Sequence, residues 1–152
     1  MHREWTREEY AVSTDPARLD VDAIHRYLAR DSYWAQNIPR AVLDRALVNS
    51  RCYGVYRGRE MAAFGRVVTV YATFGYLCDV FVLPAHRGRG LSKWLVECIL
   101  GDPDLQGFRN WTLYTKDAQG LYERFGFRNL DDPSTVMRIP KPDPYGSGKP
   151  GF

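Results

Sequence analysis

A loop rich in glycine and arginine, residues 84–92, has the composition of an anion-binding site. It reads Pro84-Ala85-His86-Arg87-Gly88-Arg89-Gly90-Leu91-Ser92, and it follows an apolar stretch and leads into a helical pattern. Glycines let backbone N–H groups converge without Cβ atoms in the way, and the start of a helix adds the positive end of its dipole. The two arginines add fixed charge. This chemistry suits a diphosphate, although an ordinary strand-to-helix turn can hold the same residues.

Two common nucleotide-binding loops fit this segment poorly. A Rossmann loop needs a third glycine, where the chain has Lys93, and it needs parallel strands joined by crossover helices. A P-loop needs Gly-Lys followed by Ser or Thr after a four-residue gap, and residues 84–92 lack it.

A second motif, at residues 118–127, follows the loop, and the two together point to one family of proteins. Val82-x-Pro84-x-x-Arg87-Gly88-Arg89-Gly90-Leu91-Ser92 is similar to the acetyl-CoA signature R-x-x-G-x-G/A of the GNAT N-acetyltransferase superfamily. Ala118-x-x-Leu121-Tyr122-x-x-x-Gly126-Phe127 is similar to that superfamily's A-x-x-L-Y-x-x-x-G-F motif. The resemblance covers about residues 8–139. Ser92 departs from the usual final Gly or Ala but is also small.

The resemblance implies that acetyl-CoA is the co-substrate and that no metal takes part. The strand before the loop would carry a bulge that frees backbone N–H groups near Phe81 and Val82 for the thioester oxygen and the pantetheine arm. Thr115 stands where many members have Asn, which weakens the case for a side-chain amide contact there. The predicted cofactor-binding residues are Phe81, Val82, Arg87, Gly88, Arg89, Gly90, Leu91, Ser92 and Thr115.

Tyr122 is the predicted general acid. The implied reaction is attack of an amine on a thioester, which ends with departure of a thiolate whose conjugate acid has a pKa of about 8.5. A phenol with a pKa near ~10 can donate a proton to that thiolate if a hydrogen bond aligns the two groups. Tyr122 matches the superfamily's frequent acid, and the alternative is that it only packs on the helix face.

Asp79 is the predicted catalytic or amine-binding carboxylate. It is the one acidic residue in the apolar stretch 76–82. A carboxylate in such a stretch is paired, capping or functional. Asp79 as general base, Asp79 as the structural partner of an arginine, and deprotonation through a chain of waters all stay open at this point.

The amine acceptor is expected between the first two helices. Tyr33 and Trp34 break the helical pattern there and are predicted to bind substrate by stacking or by cation–π contact, with core capping as the equal alternative. His25 lies on an apolar helix face and is expected to pack. His86 is expected to face solvent or phosphate.

The elements that must position these residues fall into three sections: a strand with two helices, an antiparallel meander of three strands that leads into a helix, and a strand, a short helix and a final strand. Strands are expected at 8–14, 51–57, 61–71, 76–83, 109–115 and 135–139. Four helices are expected. The first begins after Asp20 as its N-cap, the second has Pro39 in its first turn, and the other two span 91–99 and 118–125. Together with the resemblance, this predicts an α+β protein of the GNAT-type α/β/α fold. Its mixed, mostly antiparallel sheet would have six or seven strands, a splayed central strand and about four helices.

Composition favours one globular domain. The 152 residues are 45% hydrophobic and 14% aromatic, with a net charge of +3. Residues 1–140 are predicted to form the domain, and residues 141–152, rich in Pro and Gly, are predicted to form a flexible tail or an arm laid over the surface. Three widely spaced cysteines predict small core residues, not a disulfide framework or a zinc site. We expect a cytoplasmic protein, monomeric or homodimeric, that binds neither nucleic acid nor membrane.

The predicted function is therefore acetyl transfer from acetyl-CoA to a primary amine, on a small molecule in preference to a protein. The alternative is a non-catalytic acyl-CoA-binding module that senses the cofactor, which shares the loop but does not need Tyr122. A third hypothesis, a nucleic-acid-binding protein, fits the scattered arginines poorly.

Overall fold

A computed structural model describes residues 1–146 of the chain, and within them six strands form one mixed sheet in the order β1 to β6. Successive strands are antiparallel except β5 and β6, which are parallel. The predicted fold class is confirmed. The strands are β1 Glu4–Arg7, β2 Tyr10–Ser13, β3 Arg51–Arg57, β4 Glu60–Thr69, β5 Phe74–Val82 and β6 Asn110–Thr112.

Four α-helices in the described part of the chain cover this sheet. They are α1 Val21–Arg26, which runs on into a π-helical turn at Tyr27–Asp31, α2 Arg40–Val48, α3 Leu91–Leu100 and α4 Gln119–Glu123. The predicted cap of α1 is confirmed, because the side chain of Asp20 accepts a 3.0 Å hydrogen bond from the backbone N–H of Ala23. Pro39 immediately precedes α2, with its φ of −65° suited to a first turn.

The sheet has a hydrophobic cluster on each face. On one face, α3 buries Leu95 and Ile99 against sheet residues such as Val67. On the other face, α1 and α2 pack Ile24 and Leu43 in the cluster that holds Phe64. Alternate residues of a strand point to opposite faces, so the long strands supply both clusters at once. The result is the α/β/α layering that the resemblance predicts.

The N-terminal strand prediction was only partly right. A single strand over residues 8–14 was expected, and the structure has a hairpin of β1 and β2 instead. The turn falls between Arg7 and Tyr10, where Glu8 takes a left-handed φ of 53°.

The predicted final strand, 135–139, was wrong. Pro133–Thr135 forms a short 3-10 turn, in which the carboxylate of Asp132 accepts the backbone N–H of Ser134 at 3.1 Å. No residue from 136 to 139 joins the sheet, and the Met137 side chain is fully in solvent at 93% exposure. A β-forming composition produces a strand only where a neighbouring edge accepts it.

Two cysteines behave as predicted and one does not. Cys52 and Cys98 are buried, whereas Cys78 is only partly buried and lies on the wall of a cavity. No disulfide is formed within the described chain. Across residues 1–146, none of the helices is long and apolar enough to cross a membrane, and no group of His, Cys, Asp and Glu side chains is arranged to hold a metal ion.

Candidate active site

The site begins where β5 and β6 separate. The two strands pair only from Phe74 with Asn110 to Tyr76 with Thr112. Beyond that point β6 ends, while β5 runs on to Val82. This leaves one side of β5 without a neighbouring strand, so its backbone groups there face an open cleft. The splayed central strand is thereby confirmed.

A β-bulge lies in β5 beside this cleft. Phe64 pairs with Phe81 and Arg66 with Cys78, so Asp79 and Val80 together stand opposite the single residue Gly65. Asp79 has a left-handed φ of 55°, which Asp tolerates better than most residues. A Cβ on Gly65 would lie 3.3 Å from the side chain of Val80, so the glycine gives the bulge room.

The glycine loop and the start of α3 form the predicted anion cradle. Gly88 and Gly90 have left-handed φ values of 78° and 72°. No atom lies within 4 Å of where a Cβ of Gly88 would be, so the space beside the loop is open. Gly90 is the N-cap of α3 and no side chain caps the helix there. Backbone N–H groups at this end are therefore available to an anion, and the residues present fit a diphosphate.

The cradle lines a cavity of about 310 Å³. Of the predicted cofactor residues, those on its wall are Phe81, Val82, Arg87, Gly88, Gly90, Leu91 and Ser92; Val80, His86, Ala118, Leu121 and Tyr122 complete it. Sequence reasoning thus assembled most of this wall, because these residues are close together in the chain.

Arg87 and Arg89 have different surroundings. Arg87 is on the cavity wall, where its guanidinium donates to the backbone oxygen of Val82 at 3.0 Å and to the Tyr27 hydroxyl at 3.2 Å. Arg89 lies outside that wall with its guanidinium 3.7 Å from a carboxylate oxygen of Glu9. A cofactor contact by Arg89 stays a prediction.

Arg7 contacts the backbone of the glycine loop, a contact that the sequence did not predict. Its guanidinium reaches the backbone oxygens of Arg89 and Gly90, each at 3.5 Å, and lies 4.7 Å from the ring centroid of Trp94. It comes from β1, more than eighty residues earlier in the chain, so no local pattern indicated it.

A second cavity of about 260 Å³ adjoins the first where β5 and β6 separate. Both cavities are bounded by Val80, Ala118 and Tyr122. The second is lined by the predicted acceptor residues Tyr33, Trp34 and Asp79. Its other polar or aromatic wall residues are Arg66, Tyr76, Cys78, Tyr114, Thr115, Asp117 and Tyr145.

Tyr122 stands at the junction of the cavities. It is the tyrosine of α4, and it is buried, with its ring packed edge-on against Phe127. Burial, with smaller contributions from the neighbouring Tyr33 and Cys78, raises the pKa of its phenol to about 12. The phenol is therefore protonated at neutral pH and can donate a hydrogen bond.

Asp79 has two partners at the wall of the second cavity. Its Oδ2 accepts a hydrogen bond of 2.6 Å from Nε of Arg66, and its Oδ1 accepts one of 2.8 Å from Nε1 of Trp34. The arginine partner that sequence reasoning left open is thus Arg66. Each carboxylate oxygen has a second lone pair, so a further donor can be accommodated.

Tyr33 and Thr115 hold the segment that leads into α4. The Tyr33 hydroxyl accepts a hydrogen bond of 2.8 Å from the backbone N–H of Lys116, and the Thr115 hydroxyl accepts one of 3.0 Å from that of Ala118. Thr115 lies on the wall of the second cavity and not on that of the cradle. Its predicted contact with the cofactor stays a prediction.

The expectation that His86 faces solvent or phosphate was wrong. Its side chain is only 1% exposed. Its two ring nitrogens lie 2.9 Å from the Tyr10 hydroxyl and 3.0 Å from a Glu60 carboxylate oxygen. Both partners are far away in sequence, so the histidine anchors the start of the loop to the sheet. His25 behaves as expected and bonds the backbone oxygen of Ile38 at 2.8 Å.

Sequence reasoning missed much of the second cavity. Arg66 had a usable signal, since it is the one basic residue in the predicted strand 61–71, which neighbours the strand that holds Asp79. Tyr76 and Cys78 lie in the stretch around Asp79 and were read as strand residues only. Asp117 and Tyr145 had no signal, because loops and the C-terminal segment reach the cavity only through the path of the chain.

Comparison with known proteins places this geometry in a family. Residues 48–129 match the family model described as the acetyltransferase (GNAT) domain. A candidate acetyltransferase of the fungus Gibberella zeae is 38% identical, with 78% of each chain covered. A crystal structure of a candidate GNAT acetyltransferase from Xanthomonas campestris superposes with a TM-score of 0.89 at 46% identity, covering 93% of this chain and all of the other. A structure from Clostridium acetobutylicum with acetyl-CoA shares the fold, with a TM-score of 0.64 at 12% identity over 91% of this chain and 96% of that one.

Proposed function

The chain belongs to the GNAT acetyltransferase family, and on that premise we propose that it transfers the acetyl group of acetyl-CoA to a primary amine of a small molecule. The observation that carries the proposal is the meeting of two cavities at Tyr122. One cavity has the cradle at its far end, and the other is lined by aromatic rings and carboxylates. A thioester carbon placed at the junction would be open to an amine from the second cavity.

The cradle and the free side of β5 support the proposed position of acetyl-CoA, which would supply the activated acetyl group. Gly88, Gly90 and the N-terminus of α3 would bind its diphosphate through backbone N–H groups, with Arg87 adding charge. A structure from Clostridium acetobutylicum that is described as an acetyltransferase with acetyl-CoA has the same fold.

Val82 is the proposed backbone donor beside the reacting carbonyl. Leu83 donates its backbone N–H to the oxygen of Ala62 across the sheet at 2.8 Å. Successive N–H groups of an extended strand point in opposite directions, so the N–H of Val82 faces away from β4 and towards the cleft. By the same alternation the N–H of Phe81 faces β4, and its ring, stacked on Tyr27, would shape the cavity wall. A donor at Val82 would stabilise the oxygen as negative charge develops on it.

Tyr122 is the proposed general acid. Its phenol is neutral at physiological pH, and it lies where the two cavities join. It would donate a hydrogen bond to the departing sulfur and pass its proton to that sulfur as the carbon–sulfur bond breaks.

Asp79 is the proposed carboxylate on the acceptor side. It would attract the protonated amine and accept its proton, directly or through water. Arg66 and Trp34 hold the carboxylate in one orientation at the cavity wall. An amine with a pKa near ~10.4 carries a proton at neutral pH, so a neighbouring anion both concentrates the substrate and provides an acceptor for the proton.

The experiment that tests the proposal combines cofactor binding with turnover. Acetyl-CoA should raise Tm in a concentration-dependent way, and a panel of primary amines should include one that releases free coenzyme A thiol with formation of an amide. A Tm unchanged by acetyl-CoA would reject the proposal. A raised Tm with no amide formed from any amine class would favour the sensor alternative.

A further inference from the structure

The acceptor cavity has a wall dominated by aromatic rings. Six of the described residues on it are aromatic, namely Tyr33, Trp34, Tyr76, Tyr114, Tyr122 and Tyr145. Two pairs among them, Tyr33 with Trp34 and Tyr76 with Tyr114, meet edge to face, with centroids 5.0 Å and 5.7 Å apart. Such walls favour a flat apolar group, which stacks on ring faces, over a hydroxyl-rich or anionic one.

The charges around the cavity favour a cation over an anion. Asp79 and Asp117 are on its wall. Arg66 is the one cation among the described wall residues, and Asp79 already accepts its Nε. Lys116 lies outside that wall, with its ammonium 5.6 Å from the ring centroid of Tyr33. A substrate carboxylate or phosphate would therefore face two aspartates and an arginine that already has a partner.

The size of the cavity suits an acceptor group of small volume. Its volume of about 260 Å³ lies just below the range of roughly 300–1,000 Å³ typical of pockets for drug-sized ligands. A single ring with a short aminoalkyl chain fits such a volume, whereas a folded polypeptide loop does not.

Tyr145 closes one side of this cavity. It belongs to the C-terminal segment that sequence reasoning assigned to a flexible tail, yet it is partly buried and packs against the cluster under α1 and α2. Its ring is on the wall of the acceptor cavity. The tail thus contributes a surface to the site from a point more than twenty residues beyond α4.

We propose that the acceptor is a small primary amine with one flat apolar group, an aralkylamine, and that the Tyr145 ring forms part of its binding site. This inference rests on the proposed function and goes beyond it by naming the substrate class. The ammonium group would point towards Asp79, and the ring would lie among the aromatic side chains. The transfer itself balances: the amine nitrogen forms a bond to the acetyl carbon and loses a proton to Asp79 or to water, the carbon–sulfur bond breaks, and the sulfur takes a proton from Tyr122 and leaves as the thiol.

A competition between amine classes tests the substrate class. 2-Phenylethylamine should show a kcat/KM at least about tenfold above those of spermidine, glucosamine 6-phosphate and a lysine-containing peptide. A kcat/KM for any of these three that equals or exceeds that of 2-phenylethylamine would overturn the inference and leave the proposed function standing. If none of the four is acetylated, the inference fails, and the effect of acetyl-CoA on Tm decides separately whether the proposed function fails with it.

Substitution of Tyr145 tests its part in the site. Tyr145→Ala should raise the KM for 2-phenylethylamine about fivefold or more with kcat changed little, while Tyr145→Phe, which keeps the ring, should restore the wild-type KM. Met137→Ala, on an exposed side chain that precedes this segment, is the matched control. Calorimetric titration of 2-phenylethylamine into the protein with coenzyme A should show the same loss of affinity for Tyr145→Ala. An unchanged KM and an unchanged Kd would overturn the assignment of Tyr145.

Discussion

The carboxylate of Asp79 and the guanidinium of Arg66 meet across two neighbouring strands, with 2.6 Å between Oδ2 and Nε. The side chains are 9% and 17% exposed, so water screens the pair little. The bulge in β5 sets this contact, because the extra residue places Asp79 at a left-handed φ on the cavity wall. The carboxylate of Asp79 thus has two parts to play: it is the anion of a structural ion pair, and it is the carboxylate that we propose on the acceptor side.

Asp79→Asn should lower both stability and kcat. The substitution leaves a buried guanidinium without its anion, which costs about 3 kcal/mol of unfolding free energy. Denaturant unfolding measures this. The kcat should fall as well, since the amide cannot accept the amine proton.

The control for Asp79→Asn is Asp117→Asn, an exposed carboxylate on the wall of the same cavity. Its unfolding free energy should stay within about 0.5 kcal/mol of wild type. If Asp79→Asn is destabilised but keeps the wild-type kcat, Asp79 serves only as the partner of Arg66.

Tyr122→Phe should lower kcat by about 100-fold, because the ring keeps its packing on Phe127 while the proton donor is lost. The Kd for acetyl-CoA should change little, since the cradle is untouched. Steady-state kinetics and calorimetry measure the two effects. Tyr71→Phe, on an exposed tyrosine outside both cavities, is the control. A kcat within twofold of wild type would assign Tyr122 to packing alone.

The pH dependence of kcat should show no loss near the ordinary phenol pKa of 10.0. Burial raises the pKa of Tyr122 to about 12, and the protonated phenol is the proposed active form. The acid is therefore present at all pH values below about 12, and its loss on the alkaline side begins only as that value is approached. Measuring kcat at saturating amine from about pH 8 to about pH 10.5 checks this. Half-loss of kcat near pH 10 that is absent from Tyr122→Phe would contradict it.

Gly90→Ala should weaken acetyl-CoA binding as well as stability. A left-handed φ of 72° strains any residue with a Cβ, by about 1–2 kcal/mol, and the Cβ would stand at the N-terminus of α3. We expect the Kd for acetyl-CoA to rise about tenfold, because the anion can no longer approach the backbone closely.

Gly107→Ala separates strain from binding. Gly107 has a φ of 81°, no atom lies within 4 Å of its Cβ position, and it is on the wall of neither site cavity. This variant should lose similar stability and keep the wild-type Kd. Equal changes in Kd for the two glycine variants would contradict the proposal that the cradle binds the diphosphate of acetyl-CoA.

Arg87→Ala should weaken acetyl-CoA binding more than Arg89→Ala does. Arg87 is on the cradle wall, whereas Arg89 lies beside Glu9. A charge-assisted hydrogen bond to phosphate contributes about 1.5–3 kcal/mol, so the Kd of Arg87→Ala should rise about tenfold or more. Calorimetry at two salt concentrations should show a reduced salt dependence for Arg87→Ala. A larger loss for Arg89→Ala would reverse the assignment.

Several features of this protein follow from the sequence by itself. The cradle, the Tyr122 motif and the N-cap at Asp20 are all carried by residues close together in the chain, so composition and spacing predict them. Most strands and helices follow as well, since the hydrophobic periods of the two elements differ. The lone acidic residue in an apolar strand also drew attention to Asp79 before its surroundings were known.

Only the tertiary structure decided which distant residues meet. Strand register and one bulge bring Arg66 to Asp79, the sheet brings Tyr10 and Glu60 to His86, and the course of the tail brings Tyr145 to the acceptor cavity. Residues 135–139 have a strand's composition but no edge that accepts them. Such contacts depend on how the whole chain folds back on itself, and local sequence does not encode that path. The loop at 84–92 could therefore be recognised from its sequence, while the acceptor cavity could be recognised only from the tertiary structure.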